Sequence, residues 1–284
     1  MMFAAALDGD RRRLAVIRRL TLALVLCALT AVQPSRADEP VDPLNSPVWK
    51  DAAKKLFAGA PYVFDDRIIV SVPKVVENQA QVPISADARA VPNVEKLIVY
   101  ADLNPVQHVL TYTPAQNKAA PFVSFRMKVE QATPVRAAAL TSDGVWYVGG
   151  VFLEASGGGC SSPALARGDA DWTDTVGNAQ GRIWREADGA ARLRLRVRHP
   201  MDTGLAKNGT PAFYIEKFEM KSGSGDPLAV IEMFEPVSED PMLTLVLRPK
   251  ATDASVSVDG RDNNGTIYRS VVPLPWNQSA LELR

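Results

Sequence analysis

Val-Ser-Phe-Arg-Met-Lys-Val-Glu, residues 123–130, alternates apolar and polar side chains over eight positions. That is the period of a half-buried strand, because successive side chains of a strand point to opposite faces. Outward from it the signal repeats. Residues 67–72, 94–101, 134–141 and 145–153 are strand candidates, and Ser142-Asp143-Gly144 supplies a hairpin turn between the last two. The stretch from about residue 60 to 153 therefore predicts a run of strands with no second helix, the pattern of a β-sandwich. One short helix precedes it. Ser46 suits its N-cap and Pro47 its first position; Val48, Ala52 and Leu56 form an apolar stripe with Trp49, Ala53 and Phe57 beside it. Gly59 and Pro61 end it. The expected role is packing on a domain edge.

The strand pattern breaks at Ala-Ser-Gly-Gly-Gly-Cys-Ser-Ser-Pro, residues 155–163, and residues 164–178 are poor in large apolar groups apart from Trp172. A second strand series begins near Gly181. Leu193, Leu195 and Val197 alternate with Arg192, Arg194, Arg196 and Arg198, which predicts a solvated arginine face that also blocks edge pairing. Further strands are expected at 213–220, 228–234, 243–248, 255–259 and 266–272, with Asn264-Gly265 as a hairpin turn. The predicted fold class is all-β, two sandwiches in one chain. The predicted division is a leader at 1–37, a first sandwich with its helix at 38–154, an arm and linker at 155–170, and a second sandwich at 171–284.

The leader is a secretory signal by pattern: basic residues at Arg11 to Arg13, Arg18 and Arg19, an uncharged apolar run from Leu20 to Val32, then Ser35-Arg36-Ala37. Cleavage is expected after Ala37, with no membrane span afterwards. Removing its six arginines and two aspartates from 32 basic and 32 acidic residues leaves 26 and 30, a net charge near −4. Nothing in that balance points to nucleic acid or an anionic membrane. Cys27 leaves with the leader, so Cys160 stands alone in a chain of about 247 residues. An unpaired cysteine in an exported protein suggests a reactive thiol or an intermolecular disulfide, here a Cys160-linked homodimer.

Cys160 is the residue most able to carry chemistry. Gly157, Gly158 and Gly159 precede it and Ser161 follows, so the segment reads as a flexible tether that leaves the thiol exposed. No Lys, Arg or His lies within six residues on either side, so its pKa is expected near the free value of about 8.5. His108 and His199 lack a second ligand at metal spacing, and no phosphate loop or dinucleotide fingerprint is present. No catalytic residue, cofactor or metal is predicted.

Several of these stretches resemble a known pair. Ile-Ile-Val-Ser-Val-Pro at 68–73, Val-Glu-Asn-Gln-Ala-Gln-Val-Pro-Ile at 76–84, Asn104-Pro105 and Phe-Arg-Met at 125–127 make residues 64–153 similar to the SoxY subunit of the periplasmic sulfur-oxidation carrier SoxYZ. Arg-His-Pro-Met-Asp-Thr-Gly at 198–204, Pro-Ala-Phe-Tyr-Ile-Glu at 211–216, Pro-Met-Leu at 241–243 and Asp-Asn-Asn-Gly at 262–265 make residues 198–272 similar to SoxZ. The fused order resembles SoxYZ-like carriers associated with quinoprotein (PQQ) dehydrogenases. The resemblance implies that both sandwiches are immunoglobulin-like, and that the chain is a periplasmic carrier, not an enzyme, that holds a sulfur-containing intermediate on Cys160 of a glycine-rich arm. It implies redox enzymes or cytochromes as partners, and a PQQ-dependent dehydrogenase system among them. The reading from another class is a non-covalent docking module for such a dehydrogenase or its cytochrome. In the separate carrier the arm ends near its cysteine; here the chain continues, so the arm is a loop held at both ends.

Overall fold

In the computed structural model, which describes residues 40–276, the alternating stretch lies in strand β6 (Ala119–Met127). Val123, Phe125 and Met127 are buried and Arg126 is exposed, as the period requires. β6 is central to a six-stranded sheet in the order β2 (Ile69–Ser71), β3 (Val82–Asp87), β6, β13 (Met242–Leu247), β10 (Ala191–Val197) and β9 (Ala179–Arg185). A nine-stranded sheet faces it. Its order is β1 (Tyr62–Phe64), β8 (Trp146–Leu153), β7 (Thr133–Thr141), β4 (Val94–Ala101), β5 (His108–Pro114), β12 (Pro227–Met233), β11 (Ile215–Ser222), β14 (Ser255–Asp262) and β15 (Ile267–Pro273). The architecture is mostly β with one short early helix, consistent with two immunoglobulin-like sandwiches.

The two sequence halves meet edge to edge in both sheets. β5 of the first half pairs antiparallel with β12 of the second, from Pro114 opposite Ala229 to Leu110 opposite Met233. β6 pairs antiparallel with β13, Ser124 opposite Thr244. The ladders therefore run through the junction, and one apolar core continues from Ile84, Leu97 and Phe125 to Leu193, Leu195 and Phe218. Pairing closes two strand edges that each half alone would expose.

The helix α1 (Trp49–Phe57) differs from its expected start. Val48 occupies the N-cap without a side-chain capping bond, so Ser46 does not cap it. Its buried face, Trp49, Ala52, Ala53 and Phe57, lies on the sheet face formed by Ile98, Tyr100, Ala138, Trp146 and Val148. A buried ion-pair network fastens the chain leading into it. The Arg136 guanidinium donates to Asp102 at 2.9–3.0 Å and to both oxygens of Asp42 at 2.8 Å, and stacks 4.1 Å from the Trp49 ring.

The strands at β1, β3 and β5 had no separate expectation. Pro83 interrupts the pattern of β3, and Pro is normally confined to edges or to unpaired flanks. Here β2 covers only Ser85–Asp87, so Pro83 lies where one flank of β3 has no ladder partner. The expected leader lies outside the described residues.

Candidate functional site

After Met127 the chain of β6 continues inward. Lys128 and Val129 are both buried, so the polar position that alternation assigned to solvent turns to the interior. Lys128 N–H donates to Pro236 O at 2.6 Å and Val129 N–H to Gln79 O at 2.9 Å. Asn104 fixes this segment from the side: its amide donates to Lys128 O at 2.9 Å and its carbonyl accepts Glu130 N–H at 3.0 Å. These three segments form a seat.

The arm that leaves β8 lies in that seat. Gly158 N–H donates to Glu130 O at 3.2 Å and Gly159 N–H to Val129 O at 2.9 Å. The Glu130 carboxylate then accepts from Cys160 N–H and Ser161 N–H, each at 3.0 Å, and from the Ser161 hydroxyl at 2.9 Å. The second half closes the other side. Thr203 Oγ1 donates to Cys160 O at 2.6 Å, and Lys128 Nζ donates to Met201 O. Asp202 between them is paired with Arg167, from the turn that follows the arm.

This overturns the expectation of an exposed, mobile thiol. Cys160 is 1% exposed. Its thiol faces Lys128 O at 3.6 Å. Burial pushes its pKa up to about 12, and the Glu130 carboxylate adds to the rise while Lys128 opposes it. The ordinary value expected from the neighbouring sequence fails because the charged and desolvating groups come from 30 to 43 residues away. The glycines are corrected too. A Cβ on Gly157 would sit 2.3 Å from Glu130 O, and one on Gly159 would sit 2.1 Å from Gln79 O. Those two are small because backbone approaches backbone there; only Gly158, at φ +86° with nothing nearby, matches the freedom the tether reading gave to all three.

The histidines do other work. His108 stacks 4.1 Å from the Phe234 ring, and burial lowers its pKa to about 4. His199 is buried, accepts Met201 N–H on Nδ1 at 3.0 Å, and is likewise lowered to about 4 by burial. It supports the 201–203 turn that closes the seat. Among the described residues no three His, Cys, Asp or Glu side chains group as metal ligands.

A seated thiol reacts only through the released arm, which gives a prediction. Released thiolate continues to accumulate as pH rises between the free value, near 8.5, and the seated value, about 12. Alkylation of Cys160 should therefore keep climbing about tenfold per pH unit through pH 10, where a peptide cysteine has levelled off. Glu130→Ala removes three hydrogen bonds to the arm and should raise the rate at pH 8 by at least about tenfold, the equivalent of 1.4 kcal/mol. A parent rate equal to that of a peptide cysteine would refute the seat.

Residues 53–160 match the family described as "Sulfur oxidation protein SoxY", a match that runs up to Cys160. Residues 182–273 match "Sulphur oxidation protein SoxZ". Among solved structures, the sulfur carrier protein SoxY from Chlorobium limicola f thiosulfatophilum is 19% identical, with 38% of this chain and 90% of that chain covered and a TM-score of 0.34. A tetra-tandem repeat from the extending region of a large adhesion protein is 11% identical, covering 74% of this chain and 49% of that one at a TM-score of 0.23. A beta-glycosidase from Bacteroides vulgatus is 8% identical, covering 74% and 25%, at a TM-score of 0.22. No curated protein matches.

Proposed function

We propose that this polypeptide, which joins a segment matching SoxY to one matching SoxZ, is a carrier of sulfur oxidation and not an enzyme, and that it holds a sulfur-containing intermediate covalently on Cys160. The arm and its linker, 155–170, lie between two sandwiches, 38–154 and 171–284, and the arm alternates between the seat and the active sites of partners. The carrying observation is the seat itself. Both halves build it around one thiol, and its contacts are mostly polar hydrogen bonds that water can replace on release. A structural cysteine would pack in the apolar core and need no such latch.

In the seat the thiol is protonated and inert. On release it returns to ordinary thiol acidity and becomes a nucleophile. Joining it to thiosulfate through an S–S bond releases one proton and two electrons. A thiol on a β-sandwich cannot take up those electrons, so a redox enzyme or cytochrome receives them. The setting is the periplasm, reached after cleavage at Ala37. Among partners, a PQQ-dependent dehydrogenase system is what the resemblance to quinoprotein-associated carriers implies. No described helix is long and apolar enough to cross a membrane. A Cys160-linked homodimer requires two released arms.

Feeding the host radiolabelled thiosulfate tests this reading. Label should travel with the parent chain on a non-reducing gel, leave on treatment with dithiothreitol, and be absent from Cys160→Ser. A parent chain that stays unlabelled while the host oxidises thiosulfate would overturn it.

A further inference from the structure

The outer face of the six-stranded sheet carries more positive charge than folding requires. One row of facing residues crosses all six strands: Arg182, Arg194, Thr244, Ser124, Ser85 and Ser71. At about 4.8 Å between strands the row is roughly 24 Å long. It holds no acidic residue. Arg182 stands directly opposite Arg194, a like-charge pair that destabilises a ladder. Arg192 joins them around one indole: the three guanidinium carbons lie 5.1, 5.9 and 5.5 Å from the Trp184 ring for Arg182, Arg194 and Arg192. Arg126 adds a further exposed cation on β6. Glu186 pairs with Arg192 at 2.9 Å and Asp240 with Arg196 at 2.7 Å. Among the described residues Arg126, Arg182 and Arg194 have no carboxylate within ion-pair distance.

Edge protection accounts for only one of these. β9 is the edge strand, so Arg182 deters strand pairing there. Arg194 is on the second strand in and Arg126 on the fourth, where no edge is exposed. The small hydroxyl residues between them keep the face flat, so it suits another protein surface better than a pocketed ion. Its position matters as well. Arg126 is two residues before Lys128, whose carbonyl faces the Cys160 thiol, and Arg126 O accepts Ser238 N–H from the loop that packs on the seat.

We propose that this face is the docking surface for an acidic protein surface, the rim of a partner that receives the arm. The need for it follows from the carrier reading. The arm is held at both ends, and Cys160 lies five residues from Leu165, where a 3-10 turn spans Leu165–Gly168. Extended chain of that length reaches roughly 17 Å. A partner must therefore sit against the body to take the thiol, and a cationic face beside the seat selects acidic rims and speeds encounter.

The test reads docking alone, in the full chain carrying Cys160→Ser, so a failure of the covalent reading leaves it intact. The probe is fluorescein-labelled poly-L-glutamate followed by anisotropy at low salt. Charge reversal at Arg126→Glu, Arg182→Glu and Arg194→Glu should weaken binding at least about tenfold, and raising salt from about 20 to 200 mM should weaken parent binding similarly. Lys217→Glu, Lys221→Glu and Arg261→Glu, on the other sheet and equal in net charge change, should leave the affinity within about twofold. Circular dichroism and melting confirm that each variant is folded; should the triple variant fail that check, the Arg194→Glu single variant is read instead and should still lose affinity. Equal loss in both triple variants, no binding by the parent, or displacement of the probe by sulfate at constant ionic strength would each overturn the proposal. The last would mean a small-anion site.

Discussion

Cys160→Ser is expected to fold like the parent and to carry nothing. The substitution removes one buried sulfur but leaves a hydroxyl beside Lys128 O, which accepts the thiol in the parent. The arm keeps its other anchors: the Glu130 carboxylate still receives two backbone amides and the Ser161 hydroxyl, and Thr203 still binds the backbone carbonyl of residue 160. A change of about 1 kcal/mol or less follows, since the new group is hydrogen-bonded and the lost apolar area is small. Function should fall to the level of the deletion. A hydroxyl has no accessible thiolate-like state near neutral pH and forms neither disulfide nor persulfide. Complementation of a deletion strain is the measurement, under conditions where deletion has a phenotype. Full rescue would leave the non-covalent docking module as the better account.

The second large effect is on stability. Arg136 and Asp102 are 1% and 0% exposed, and both lie under α1 and the chain that leads to it. Arg136→Met keeps most of the side-chain volume but strands the Asp102 carboxylate in the interior without its cation. Breaking a buried pair in this way costs about 3–5 kcal/mol, because the surviving charge is neither solvated nor paired. For a domain of this size that corresponds to a fall of roughly 10 °C in melting temperature. Combining Arg136→Met with Asp102→Leu should recover a large part of the loss, since the stranded charge is then gone. A single variant that melts within about 2 °C of the parent would show that the network contributes little.

Local patterns were legible where the relevant contacts are local. The 94–101 strand is found between the same residues, and the turns at Asp143-Gly144 and Asn264-Gly265 join paired strands. The arginine alternation puts Leu193, Leu195 and Val197 in the core with Arg192, Arg194 and Arg196 outside. What periodicity could not convey was pairing across long separations. Pro114 meets Ala229 and Ser124 meets Thr244 through ladders that no residue spacing announces.

The site was half legible for the same reason. Cys160 stood out by its isolation among glycines and serines. Its seat did not, because Lys128 and Glu130 occupy the polar positions of an alternating strand and looked solvent-facing. The strand ends at Met127, three residues before the pattern does, and the chain then turns Glu130 toward the arm and Lys128 toward the Met201 carbonyl. Asn104 and the 201–203 turn were marked by resemblance, yet their role in shaping the seat depends on contacts that exist only in three dimensions. Glycine was ambiguous in principle: the same residue permits flexibility and permits close approach, and Gly157 and Gly159 serve the second purpose in the seated arm.

The central claim is that Cys160 carries cargo covalently. Intact-mass spectrometry of the chain isolated from its host without reductant, followed by peptide mapping, tests it most directly. The account predicts a fraction of molecules heavier by a sulfur-containing group, with the whole increment on the peptide that holds Cys160 and none after reduction. A bare thiol in every growth condition, including active oxidation of reduced sulfur compounds, would contradict it.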